Sequence, residues 1–309
     1  MKKIVVIGGG TGSYTVLRGL KKFSKYDLTA IIAMFDSGAS TGMLRDEYGI
    51  LPPGDIRKAL TALGDTSLMR KIFKYRFSKT DKHSLGNLML TALGDIAGDE
   101  AEGYKLASKL LNVQGRVLPV TTDHCHFNAE LFDGRVLKGE SNFNFPVSSP
   151  IKKIWLEPKS IIYEDARNAI EDADLIVIGP GSLYTSVCCN FLVEGFAEAI
   201  RKSKAKKVYV CNIMTQLSET DGMSVVEHVS VVESFLGENV LDYVIVNSKR
   251  PSNELLEKYK QEDAYFVIDD SEELNYNIIR ANLLYEPDLI RHNREKLARL
   301  VLELAEVEK

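Results

Sequence analysis

Cysteine is scarce in this chain of 309 residues: there are four, none spaced C-x-x-C, and two of them, Cys188 and Cys189, are adjacent. An adjacent pair is ill suited to a structural disulfide, so the chain reads as one from a reducing compartment, and the spacing argues against zinc. Long apolar runs are missing as well, since none approaches the ~20 residues that cross a bilayer. The opening run Ile4-Val5-Val6-Ile7 is four residues long and carries no cleavage-site pattern. A cytoplasmic protein without a membrane span is the resulting expectation. Nor is there an excess of charge, with 39 Lys and Arg against 43 Asp and Glu for a net charge of −4. The basic run at 201–207, RKSKAKK, lies between a predicted helix and a predicted strand. It reads as a solvated helix end, and nucleic acid is not an expected partner. What remains, 45% hydrophobic and 27% charged residues, is the composition of a folded globular chain.

The rest of the sequence is organised around residues 2–20, KKIVVIGGGTGSYTVLRGL. A β-branched run breaks at Gly8-Gly9-Gly10-Thr11-Gly12 and resumes with helical spacing at Tyr14, Leu17 and Leu20. This predicts strand, glycine turn and helix, an arrangement that points unpaired N–H groups and a positive helix end at whatever lies above the turn. A dinucleotide fingerprint would need a third glycine where Ser13 stands, so the turn is a general nucleotide-phosphate signal. A hydride-transfer enzyme is disfavoured for the same reason, and no Ser-Tyr-Lys or histidine relay is evident.

A second strand at 28–35 ends in Asp36-Ser37-Gly38-Ala39-Ser40-Thr41-Gly42. An acid at that place is where a doubly wound fold meets a ribose hydroxyl, although Asp36 would serve equally as a turn acid or cap. Residues 49–58, GILPPGDIRK, combine a rigid loop, a cap at Asp55 and the cations Arg57 and Lys58, as a phosphate or metal–phosphate site requires. From 56 to 111 the spacing is helical, which predicts an inserted helical layer. Within it His83-Ser84-Leu85-Gly86-Asn87 bunches polar groups at a helix start, and Asn87 on an apolar face implies a hydrogen bond to a ligand or another loop.

Residues 116–123 return to strand, and the Asp133-Gly134 turn beyond them predicts an antiparallel hairpin, with a polar loop at 142–150 and a short strand at 151–156. His124 and His126 would face one way on a strand, yet lack a third metal ligand. Strand and helix then alternate again. A buried strand at 172–178 meets a second glycine turn, Gly179-Pro180-Gly181-Ser182, and an apolar helix at 187–200. The next two strands end at Asn212 to Gln216 and at Asn247. Ligands of open parallel sheets lie beyond the carboxyl ends of the strands, so these ends are expected to share one pocket facing residues 8–12. An amphipathic helix is predicted over 287–309.

Seven separated blocks carry a resemblance. They are GGGTG at 8–12, FDSGASTG at 35–42, ILPPGDIR at 50–57, HSLGNL at 83–88, LPVTTD at 118–123, GPGSLYTS at 179–186, and MTQ at 214–216 with ETDG at 219–222. In order and number they resemble the YvcK-type gluconeogenesis factor family, related to the 2-phospho-L-lactate transferase (CofD) superfamily. The resemblance implies a Rossmann-like sheet with added helices, binding of a nucleotide sugar of the UDP-N-acetylglucosamine type, a role in carbon metabolism and cell-wall morphogenesis, and no established catalysis. Its enzymatic relatives transfer a phospholactyl-type group with Mg²⁺. Ser37 stands where the family carries a second Asp, and Leu217-Ser218 where it carries Pro-Gly.

The expectation is therefore one α/β domain with a mostly parallel sheet, a helical insertion at about 55–112 and a hairpin at about 124–150. Ligand contacts are assigned to Gly9, Gly10, Thr11, Gly12, Gly181 and Ser182 for phosphate, to Asp36 or Asn212 for sugar hydroxyls, and to Arg57 or Lys58 for charge. Ser40, Asn87 and Thr215 complete the set. As a transferase the chain would use Asp55 or His83 as base, with Mg²⁺ on the diphosphate and Asp36 and Asp55 as metal ligands. A homodimer is expected, as the commonest assembly and by the resemblance.

Overall fold

Runs of Val, Ile and Leu without polar interruption make the strands of this protein, and the way they are ordered makes its cleft. The structure is a computed structural model that describes the chain except for residues 66, 78–82, 145–148 and 308–309. Its strands are β1 Lys2–Gly8, β2 Tyr26–Ile32, β3 Arg116–Pro119, β4 His126–Leu131, β5 Val136–Lys138, β6 Ile151–Glu157, β7 Leu175–Ile178, β8 Lys206–Val210, β9 Tyr243–Asn247, β10 Asn277–Ala281, β11 Leu284–Tyr285 and β12 Arg291–His292. Its helices are α1 Gly10–Leu20, α2 Ala39–Tyr48, α3 Pro53–Leu63, α4 Ser67–Lys74, α5 Leu85–Ala97, α6 Glu100–Leu110, α7 Glu164–Glu171, α8 Phe196–Lys202, α9 Val225–Leu236, α10 Asn253–Lys260 and α11 Arg294–Glu306.

Seven strands form a wholly parallel sheet in the order β10-β9-β8-β7-β1-β2-β3. Ile4 to Ile7 of β1 pair with Leu175 to Ile178 of β7, and every one of these side chains is buried. Only a sheet covered on both faces tolerates such unbroken apolar strands. The chain winds from β1 through β2 to β3, then returns to place β7 on the other side of β1. That reversal opens a crevice at the carboxyl ends of β1 and β7, the place where open α/β sheets bind ligands. The predicted hairpin is present as β4 and β5, and β6 joins it in a separate antiparallel sheet of three strands. The fold class read from the sequence is the fold observed.

Four local expectations are corrected. The apolar stretch at 187–200 is not one helix: a π-turn at Leu183–Val187 gives way to a 3₁₀ segment at Cys188–Leu192, and α8 starts only at Phe196. Buried Asn190 donates to the carbonyls of Ser186 and Val187, so a side chain competes for acceptors that a regular helix would use. At the other end of the chain, β12 takes residues 291–292, and Asn293 caps α11 by accepting from the N–H groups of Glu295 and Lys296. The basic run is not wholly solvated either. Lys206 and Lys207 are buried, and Lys207 donates to the Ser203 carbonyl at 2.5 Å. His124 lies ahead of β4 rather than on it, 3.6 Å from Glu100, while His126 starts the strand. The pair does not share a strand face. Of the predicted polar loop at 142–150, residues 145–148 lie outside the described residues.

Candidate functional site

The two glycine turns meet across the switch point. Gly12 in the first turn of α1 packs so tightly on the second turn that a Cβ there would overlap the Pro180 carbonyl. Between and above them lies a cleft of about 600 Å³, lined by Gly9, Gly10, Thr11, Gly12, Gly181 and Ser182. Asn212 and Thr215 line it from the end of β8. Asn212 clamps the second turn in both directions, accepting from Gly181 N–H at 3.3 Å and donating to Gly181 O at 2.9 Å. Ser182 Oγ donates to Gln216 Oε1 at 2.7 Å, and the Thr215 hydroxyl accepts from Tyr265 N–H at 2.8 Å. The glycine side of the cleft thus offers backbone, with the Asn212 and Gln216 amides holding its second turn.

Each turn is held from below by a carboxylate distant in sequence. Asp55 Oδ2 accepts from Gly10 N–H at 2.7 Å and lies so close under Gly9 that a Cβ there would sit 2.6 Å from it. Its other oxygen accepts from Lys58 Nζ at 2.7 Å. Gly10 N–H is therefore engaged within the protein, and Thr11 and Gly12 carry the opening N–H groups of α1 toward the cleft. Under the second turn, buried Glu219 accepts from Tyr184 N–H at 3.0 Å, Thr185 N–H at 3.3 Å and Thr185 Oγ1 at 2.9 Å. Burial pushes its carboxyl up despite those three donors.

Beside the first turn the carboxylates Asp36, Asp55 and Glu140 gather. Burial and then the Asp55 charge push Asp36 up, although Gly38 N–H donates to it at 2.9 Å. Burial, with Asp36, Glu219 and Asp55 as neighbouring charges, lifts Glu140 to about 7. An oxygen-only donor set under mutual repulsion is the chemistry a hard cation relieves. Among the described residues no three His, Cys, Asp or Glu side chains are grouped so as to hold a metal ion by themselves. Magnesium seldom needs one, because it keeps waters and takes phosphate oxygens beside one or two carboxylates.

The sequence-derived set thus divides. Its glycines, Ser182, Asn212 and Thr215 line the cleft, while Asp55 contacts the first turn, with Lys58 on its other oxygen and Asp36 beside Gly38 and Gly54. Arg57 and Asn87 do not line it: Arg57 Nε donates to Asn87 Oδ1 at 2.8 Å, and both are buried between α3 and α5. Asn87 thus meets a side chain within the protein. His83 lies in the link between α4 and α5, its carbonyl accepting from Phe77 N–H, and is not part of the cleft wall. The Ser40 side chain lies outside the described residues. Asn247, at the end of β9, binds Leu283 N–H and the Lys249 carbonyl instead of facing the pocket.

A family profile described as 2-phospho-L-lactate transferase CofD matches residues 4–284. The chain belongs to the CofD family. It is 42% identical to a protein of Thermotoga maritima named putative gluconeogenesis factor, over 97% of this chain and 98% of the relative. It is also 42% identical to the gluconeogenesis factor of Bacillus subtilis, over 98% of each. A crystal structure of a Bacillus halodurans protein of the UPF0052 family superposes with a TM-score of 0.93 at 40% identity, covering 97% and 98% of the two chains. The likeness to these proteins runs past residue 222, where the sequence blocks end, and takes in the C-terminal segment.

That segment supplies cleft residues of this CofD-family chain that the motifs missed. Tyr259 and Glu262 reach it from the end of α10, and Arg291 and His292 from β12. Burial presses the His292 imidazole down to about 4, so it is neutral, and its Nε2 has no hydrogen-bond partner among the described residues. No spacing in the sequence connects residue 292 with residues 8–12. The pairing of β12 with β11 and the packing of α11 against α1 accompany their meeting in the fold.

Proposed function

We propose that the glycine cleft binds a nucleotide sugar of the UDP-N-acetylglucosamine type, and that the protein acts as a ligand-responsive regulator of carbon metabolism and cell-wall morphogenesis. One observation carries this reading: two glycine turns face each other at the β1/β7 switch point, clamped by Asn212, over a cleft of a size for one nucleotide sugar. The opening N–H groups of α1 and the Gly181–Ser182 backbone take the diphosphate, and Arg291 at the rim supplies charge. His292 lines the same cleft as a neutral imidazole, and Asn212 fixes the second turn that faces the ligand. A UDP-sugar is expected to raise the melting temperature by several degrees at 100 times its Kd, as about 2.7 kcal/mol of linkage requires. No shift with millimolar UDP-, GDP- or NAD-type ligands overturns the reading.

The carboxylates beside the first turn favour a second reading, a Mg²⁺-dependent transferase acting on a diphosphonucleoside donor. Asp36 and Asp55 would hold the metal together with phosphate oxygens, and the metal would supply charge neutralisation on the leaving diphosphate. Asp55 orients the first turn through Gly10 N–H, and Lys58 balances its charge. Phosphorus NMR of diphosphonucleoside donors with Mg²⁺ and candidate acceptors decides the matter, since an intact donor leaves binding without turnover.

A further inference from the structure

On the outer side of α1, away from the cleft, cations accumulate in a chain whose net charge is −4. Arg18, Lys21 and Lys22 at the end of α1 meet Arg70, Lys71 and Lys74 of α4 around two concavities of about 420 and 390 Å³. Both concavities are lined by Arg18 and Arg70, so the two basins share a guanidinium wall. Among the described residues Asp65 is the single acid in either lining, and Lys21 already pairs with it at 2.9 Å.

Ordinary solvated lysines would explain the exposed members of this group, but not the two arginines. The Nε atoms of Arg18 and Arg70 are shut off from solvent and have no hydrogen-bond partner among the described residues. A buried unpaired guanidinium N–H is costly, and here two of them flank the same pair of basins. Tyr14 reports the local field. Its half-buried phenol should be lifted by desolvation, yet Lys74, Arg18 and Arg294 hold it below the usual phenol range. Lys74 also donates to its hydroxyl at 2.9 Å.

We propose that this double basin binds a small polyanion carrying at least two phosphoryl groups, one in each basin with the two arginines between them. Guanidinium groups suit phosphoryl oxygens through paired charge-assisted hydrogen bonds, and neither basin is large enough for a folded partner. Arg18 lies three residues beyond Thr15, the last residue of α1 in the cleft wall, and no residue lines both the cleft and either basin. The site is separate from that cleft and does not depend on what the cleft binds.

Isothermal titration with sodium tripolyphosphate at low salt tests it, with orthophosphate as the single-group comparison. Tripolyphosphate is expected to bind the intact chain more tightly than orthophosphate by about tenfold or more, and to weaken as salt rises. The double variant Arg18→Gln/Arg70→Gln is expected to lose about tenfold in tripolyphosphate affinity, and Asn212→Ala to lose none. Lys71→Gln, an exposed position outside any packing role, should lose about threefold with an unchanged melting temperature, which keeps the test alive if the double variant does not fold. Equal affinity for the two anions, no binding, or loss in Asn212→Ala but not in the arginine and lysine variants overturns the proposal. The cleft reading is scored separately, by UDP-sugar, so either can fail alone.

Discussion

The two glycine turns start alike and end differently. Gly8 to Gly12 runs straight into the regular α-helix α1, whereas Gly179 to Ser182 runs into a π-turn, a 3₁₀ segment and only then a helix. Both need a carboxylate from elsewhere in the chain, Asp55 for the first and Glu219 for the second. Asp55 takes one backbone N–H and balances its charge with Lys58, so the residues after the turn are free to coil as a helix. Glu219 is buried, has no cation paired with it among the described residues, and accepts from two successive N–H groups, a hydroxyl and the Gln216 amide. Bonds to Tyr184 and Thr185 together hold the backbone in a wider turn. Glycine allows a turn; the acceptor waiting beneath it decides how the chain coils on leaving.

Substitutions at four positions would break or sharpen this contrast. The largest effect is expected from Gly12→Ala, whose methyl would strike the Pro180 carbonyl and pry the turns apart. A cost of about 4 kcal/mol in urea unfolding is expected, with ligand binding lost. If the variant melts like the parent, the turns are not in the contact described. Next comes Glu219→Ala, which strands the Tyr184 and Thr185 N–H groups in the interior and should cost about 3 kcal/mol, while Glu219→Gln, still able to accept, should cost less than half as much. Equal losses would mean that the charge, not the acceptor, holds the π-turn.

Glu140→Gln is a pH-dependent test. Its folded pKa of about 7 lies above the ordinary 4.5, so the folded state holds the proton more tightly and the carboxylate costs stability as pH rises through that window. The variant should gain about 2 kcal/mol over the parent at pH 8 and almost nothing at pH 4.5, read by denaturation at the two pH values. A Mg²⁺-loaded site would shrink that gain by supplying positive charge. The smallest stability effect, about 1 kcal/mol, is expected for Asn212→Ala, which removes two hydrogen bonds to Gly181 at a half-buried position. Its larger consequence should be in UDP-sugar affinity, by about tenfold in titration. A variant that binds normally would remove Asn212 from the site.

Local chemistry made the parallel sheet legible. Ile4 to Ile7 and Leu175 to Ile178 could only be strands covered on both faces, and each led into glycines at a turn. Asn212 was visible as an amide at a strand end. Arg57 and Asn87 were visible too, but their partnership was not: the polar groups marked a ligand contact in one dimension and proved to satisfy each other across two helices. Asn190 misled in the opposite sense, because one buried amide within an apolar run redirects backbone carbonyls that hydrophobic spacing assigns to a helix.

By itself the sequence determined the strands, the glycine turns and the family blocks, since those depend on residues within a few positions of one another. The tertiary structure alone decided that Asp55 and Glu219 would each brace a turn, and that His292 and Arg291 would wall a cleft begun at residue 9. It also gathered Arg18 and Arg70 around one pair of basins. The reason is physical: backbone propensity acts between neighbours, whereas the partner of a buried polar group is chosen by whatever the fold brings within hydrogen-bonding distance.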